Sequence, residues 1–239
     1  LVHYNWHWFW DFGNGDIGNQ GVHQMDIARW LIPGATLPKS VISLGGRFGY
    51  TDQGQTPNSQ IAVMDFGDTH LIFEVRGLKT GSYLGEGVGN IAHFEDGYVT
   101  LKHGGHGLRF FPKKDKTSQG EPVEVAKDTT RGPGGKDHFA NFIAAVRSRK
   151  TSDLNAEILE GHYSSALCHL ANISYRLGES VPFNKETKAF GDDKAAYETL
   201  ARMEDYLARD NGLKLDGLSY RLGRKLAFDP RAQSFVNDP

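Results

Sequence analysis

The chain has 239 residues, moderate apolar content and a net charge of −2, which bounds it to one large domain or two small ones. That balance excludes a disordered acidic tail and a basic nucleic-acid surface, and no apolar run is long enough to cross a bilayer. A single cysteine, Cys168, excludes an internal disulfide framework and leaves the compartment unknown.

The opening "LVHYNWHWFWDF" holds three of the four tryptophans. A helix is expected from about Ile17 to Ile32, stopped by Pro33-Gly34. From Pro38 to Lys127 the pattern changes to short β-type runs: "SVISLGGRFGY", "QIAVMDF", "HLIFEVRG", "GNIAHFED", "GYVTLKH", "GLRFFPK" and "EPVEVAK". Gly67-Asp68 and Asp96-Gly97 read as hairpin turns. After "RGPGGKD" the period becomes helical, with Phe139, Phe142, Ile143 and Val146 at i, i+3, i+4 and i+7. A longer helix is expected from about Asn155 to Leu177, and a third from Asp192 or Asp193 to Asn211-Gly212. The tail from Leu213 promises only short extended pieces. Strands in one block and helices in the next predict an α+β fold, a large and predominantly antiparallel open sheet with helices packed on one face. The chain reads as one domain over residues 1–239, truncated at both ends and without a dinucleotide (Rossmann) domain.

The stretch "GNGDIG", Gly13 to Gly18, fits G-x-G-x-x-G. A dinucleotide turn also needs a buried Val/Ile-rich strand before it and an acid about 20 residues beyond it. "HYNWHWFWD" is too polar and bulky for that strand, Asp16 places negative charge where a pyrophosphate would sit, and "LPKSVISLGGRF" offers no acid. The match is accidental, so no cofactor is expected on this chain alone.

The same segment, "GNGDIGNQGVHQMDIARW", places Asn19 and His23 at i and i+4 on one helix face, with Asp16, Gln20 and Asp26 adjoining. A histidine one turn from an amide, beside an aromatic loop, suits general-base work or hydrogen bonding to a hydroxyl. The competing reading is a capped helix with a buried, satisfied histidine. "HWFWDFGNGDIGNQGVHQMDIARW", with the later "GHYSSALCHLANISYRLG" and closing helix, resembles the substrate domain of the Gfo/Idh/MocA oxidoreductases, relatives of glucose–fructose oxidoreductase and inositol dehydrogenase. In that family a glycine-rich stretch precedes Asp-x-x-x-His on a helix, and both side chains border the substrate. The matching positions here are Asn19 and His23. An amide cannot take up a proton near neutral pH, so Asn19 suits orientation better than proton relay.

The resemblance implies a substrate-binding and oligomerisation half acting on a sugar, polyol or related carbinol. NAD or NADP and a lysine would lie in an amino-terminal dinucleotide domain preceding Leu1. His23 and Asn19 are the implied catalytic positions; Trp8, Trp10, Asp11, Asp16, Gln20 and His162 are the expected substrate-lining set. Trp6, Trp8 and Trp10 can stack on sugar rings through their apolar faces, or pack as a loop beneath the sheet. His3 with His7, and His103 with His106, have metal-like spacings but no third ligand, and "HGGHG" reads as a turn. Asn172-Ile173-Ser174 is a glycosylation sequon in a helical setting. Strands apolar on both faces, with helices for one, predict self-association through the exposed sheet face. The alternatives are a non-catalytic carbohydrate-binding or oligomerisation module, and part of an NAD-dependent glycosidase of the same family.

Overall fold

The computed structural model describes residues 3–103, 106–115, 117–124, 132–135 and 137–236. A 3₁₀ turn (Asn5–Trp8) leads into α1 (Gly15–Asn19) and α2 (Gly21–Trp30). Seven strands follow: β1 (Ser40–Gly46), β2 (Ser59–Asp65), β3 (His70–Arg76), β4 (Gly89–His93), β5 (Gly97–Lys102), β6 (His106–Pro112) and β7 (Glu121–Pro122). Then come α3 (His138–Ser148), α4 (Ile158–Arg176), β8 (Glu179–Pro182) and α5 (Lys194–Asp205), which runs into a π-helical turn at Tyr206–Asp210. The tail forms β9 (Ser219–Leu222), β10 (Leu226–Asp229) and β11 (Ser234–Phe235).

The fold is α+β and its strand pairs are antiparallel, as the block order of the pattern predicts. Both predicted hairpins form: Phe66 N donates to Thr69 O at 2.9 Å, and Phe94 N to Gly97 O at 2.8 Å. The strands divide into two sheets rather than one. β11-β10-β1-β2-β3, with β9 and β8 added at β1, make the larger; β4-β5-β6-β7 make the smaller. The division falls in residues 77–88, where glycines interrupt any apolar alternation and the backbone turns on a Tyr83–Glu86 bridge. The tail is also more than loose extended pieces. Leu44 pairs with Leu222 and Val41 with Leu226, so it completes the larger sheet.

Helices cover both faces of β1–β3, which corrects the expectation of a single covered face. Val41, Ala62, Met64, Leu71 and Val75 pack with Ile17, Met25, Leu167, Leu170 and Ala171 from α1, α2 and α4. Ile42, Leu44, Ile61 and Val63 point the other way, onto Ala196, Leu200, Met203 and Leu207 of α5 and its π turn. This two-sided burial is why "SVISL" and "QIAVM" read as unbroken apolar runs rather than alternating ones. The bare face expected to receive a second copy is therefore occupied by the chain's own α5.

α3 departs from expectation in the opposite sense. Its stripe of Phe139, Phe142, Ile143 and Val146 is exposed, at 70%, 60%, 48% and 47%, and Ile158 and Leu159 at the start of α4 are exposed too. Asp137 caps the helix through Phe139 N and Ala140 N. Asn141 ties it down by donating to Pro133 O at 2.8 Å and Asp153 O at 2.7 Å.

Candidate functional site

Packing and a buried polar chain fix the position of α1 and α2. Gly21 admits the Phe73 ring: an added Cβ would meet Phe73 Cζ at 2.8 Å. Gln20, between the two short helices, marks the break in what the sequence suggests is one helix. Asn172 of α4 donates to Asn14 O at 2.8 Å and accepts from Gln60 Nε2 at 3.2 Å. Gln60 also donates to Ser43 Oγ at 3.0 Å. These side chains are buried and paired, so the network ties the start of α1 to β1, β2 and α4. Asn172 is thereby shut away from any glycan. At the far end of α2, buried Arg29 donates to Ser164 Oγ at 3.2 Å and Ala35 O at 3.0 Å and pairs with Glu160.

The glycine-rich turn is filled by its own chain. A Cβ at Gly13 would lie 2.4 Å from His7 Cα, and one at Gly18 would lie 2.1 Å from the Asn14 side chain. A 3₁₀ turn precedes it where a buried strand is required, and Asp16 accepts from Trp8 Nε1 at 3.2 Å within it. These residues do not fit a dinucleotide pyrophosphate.

Asn19, Gln20 and His23 share the exposed side of α1–α2. Asn19 Nδ2 reaches Tyr4 Oη at 3.5 Å. Gln20 Nε2 donates to Gln24 Oε1 at 3.2 Å. Gln20 and Gln24 both meet His103 Nδ1, at 3.2 and 2.9 Å. The His23 and His103 rings stand edge to face, with centroids 6.1 Å apart. Below them His7, buried, donates Nδ1–H to Tyr4 O at 2.6 Å and turns Nε2 towards Asp16, 3.9 Å away. The carbonyl can only accept, so that proton is fixed.

The structure thus gathers Asp16, Asn19, Gln20 and His23, with Trp8 joined through Asp16. The remaining expected residues lie apart. Trp10 packs on Tyr175 under the Arg176 guanidinium. Asp11 is exposed and makes none of the contacts described for this cluster. His162 meets Gln233 Oε1 at 2.8 Å near β11, not the His23 face. Sequence reasoning missed Tyr4, Gln24 and His103 as members. Gln24 lies one turn beyond Gln20, so the spacing that found His23 also reaches it. Nothing local marks His103, which lies 79 positions from Gln24. Among the described residues no three His, Cys, Asp or Glu side chains gather as a metal would need; the His106 side chain lies outside them. Burial pushes the Cys168 thiol up to about 12, which suits an inert core residue rather than a nucleophile.

A hollow of about 790 Å³ lies elsewhere, between α5 and β8–β9, lined by Phe183, Lys188, Glu204 and Tyr220 among others. Burial raises the Glu204 carboxyl, but no histidine is among the described residues that line that hollow. The expected site residues Asn19, Gln20 and His23 lie on the open α1–α2 face instead.

Residues 114–207 match the model described as "Oxidoreductase family, C-terminal alpha/beta domain", the Gfo/Idh/MocA type. The matched stretch holds α3, α4 and all of α5, while the Asn19–His23 face lies outside it. No curated protein matches the chain. Among solved structures it is similar to UDP-N-acetylglucosamine 3-dehydrogenase GnnA of Acidithiobacillus ferrooxidans, at 14% identity and TM-score 0.41, over 64% of this chain and 44% of that one. It is also similar to yvaA of Bacillus subtilis (11%, TM-score 0.43, 66% and 49%). A Klebsiella pneumoniae protein stands likewise (13%, TM-score 0.45, 77% and 52%); both are oxidoreductases by assignment. The chain spans about half the length of these solved chains.

Proposed function

We propose that this chain is the substrate-binding half of an oxidoreductase that acts on a sugar, polyol or related carbinol. NAD or NADP would be held by an amino-terminal half. The observation that carries this reading is the exposed His23 on the same face as Asn19 and Gln20, beside a second imidazole and above a ring of paired polar groups. On that face His23 takes or gives the proton of a ligand hydroxyl, while the Asn19 amide orients it. Water is not excluded by this chain alone, because the face is open; a wall from the other half would supply that exclusion. The filled glycine turn leaves the dinucleotide, and the hydride chemistry it brings, to that other half.

The bare stripe of α3 supports the same arrangement. Four large apolar side chains in a row are seldom left in water by a finished protein, and the matched domain is by its description a C-terminal one. We assign this stripe to the contact with the amino-terminal half. Self-association remains part of the proposal, but its surface is not the face of β1–β3 that α5 covers.

Kinetics of the complete protein test the reading on glucose and myo-inositol. Turnover with either that collapses in His23→Ala supports it. Normal turnover by that variant, with a large fall in melting temperature, would return His23 to a structural role.

A further inference from the structure

His103 is held more firmly than a surface turn requires. It follows β5, far in sequence from α2, yet two amides converge on one of its ring nitrogens. Gln24, only 5% exposed, meets Nδ1 at 2.9 Å, and Gln20 meets it at 3.2 Å. Gln24 is itself anchored, since its backbone carbonyl accepts from Asn90 Nδ2 of β4 at 2.8 Å. With Gln24 Oε1 already accepting from Gln20, its amide nitrogen faces the ring. Two donors need an acceptor at Nδ1, so the neutral ring carries its proton on Nε2. That edge is the polar one left for a ligand, on an exposed ring 6.1 Å from that of His23.

We propose that His103 is a ligand-facing member of this site, whose Nε2–H donates to a second hydroxyl of a polyol while the neighbouring hydroxyl meets His23. With ring centroids 6.1 Å apart, hydrogen bonds of about 2.8 Å from each ring bring both within reach of hydroxyls on adjacent carbons of one polyol. The ring's protonation follows from the geometry alone; the identity of the ligand rests on the oxidoreductase reading above. A site built to bond a hydroxyl rejects the analogue that lacks it, because its own polar group is then left unpaired. His103 would thus set specificity as well as affinity.

Two measurements test this. Nitrogen-15 spectra of the imidazoles in the chain itself, at a pH where His103 is neutral, should show its proton on Nε2; a proton on Nδ1 overturns the proposal, and this needs no variant. In the complete protein, kcat/KM is compared for glucose and myo-inositol and for their monodeoxy analogues. His103→Ala should lower kcat/KM at least tenfold for the parent polyol and leave it nearly unchanged for the one analogue lacking the hydroxyl that Nε2 meets. An equal fall on every analogue, as a merely structural role would give, or no fall at all, overturns the proposal while leaving His23 intact. Turnover of neither polyol overturns the oxidoreductase reading, and the ligand named here with it.

Discussion

At the scale of single residues the question is which of two neighbours on α1–α2 does chemistry. His23 is exposed and bonded to no buried partner among the described residues, so its removal costs the fold little. In the complete protein His23→Ala should therefore lower kcat/KM by about a hundredfold or more, the usual size of an acid–base contribution. The melting temperature should move little, whereas a buried structural histidine would cost about 1–3 kcal/mol on losing its partners. Asn19→Ala should cost less in kcat/KM, because an amide orients but does not relay. Steady-state kinetics and thermal melts on the same variants check both, and an Asn19 effect equal to that of His23 would refute the division of roles. His7 makes a useful contrast. It is 3% exposed, its Nδ1 proton is fixed by Tyr4 O, and its Nε2 faces Asp16. His7→Ala should therefore damage stability before it damages turnover.

At the scale of elements, what the sequence reveals follows how local each signal is. The strands, both hairpins and α4 could be read because alternation, turn dipeptides and helical period are short-range features. The same logic brought Asn19, Gln20 and His23 together. It failed where partners are distant: the pairing of β9 and β10 with β1, the contact of His103 with Gln24, and the second helical layer on β1–β3. It misled at α3, where a stripe at helical spacing says that something will cover those residues but not what. The buried polar chain from α4 to α1 was equally invisible, since Asn172 and Gln60 show no pattern until the fold brings them together. Asn172→Ala should cost about 1–3 kcal/mol, because Asn14 O and Gln60 Nε2 lose a partner in the interior. It should also weaken turnover without touching ligand, by loosening α1; a stable variant with normal kinetics would remove that link. On α5, burial holds the Glu204 carboxyl above its ordinary value, and no ion pair offsets this among the described residues. Below the ordinary value the group is protonated in folded and unfolded chains alike. As pH rises the unfolded chain ionises first, and the fold loses stability until the folded group ionises too. Glu204→Gln should therefore raise the melting temperature near neutral pH and leave it unchanged in acid. A gain of equal size at both would point to a cause other than ionisation.

At the scale of the whole molecule the two halves of α3 tell different stories. Its inner side is fixed, with Asn141 4% exposed and bonded to Pro133 O and Asp153 O. Its outer side carries Phe139, Phe142, Ile143 and Val146 into water. Each such side chain gains roughly 1.5–3 kcal/mol on full burial from full exposure; these four are about half exposed, so they forgo roughly half of that sum. A helix held by one edge should also open locally at low cost, since few buried contacts oppose it. If the amino-terminal half covers this stripe, the amides of α3 should exchange quickly in the isolated chain and be protected in the complete protein. Protection of α4, buried in both, should stay the same. Phe142→Glu with Val146→Lys should remove the added protection of α3 without unfolding the β1–β3 core, which lies on other elements. Hydrogen exchange followed by mass spectrometry reads all three regions in one experiment. Equal exchange of α3 in the isolated and complete proteins would mean the stripe faces something other than the amino-terminal half, and the docking assignment would fall while the His23 site stood on its own geometry.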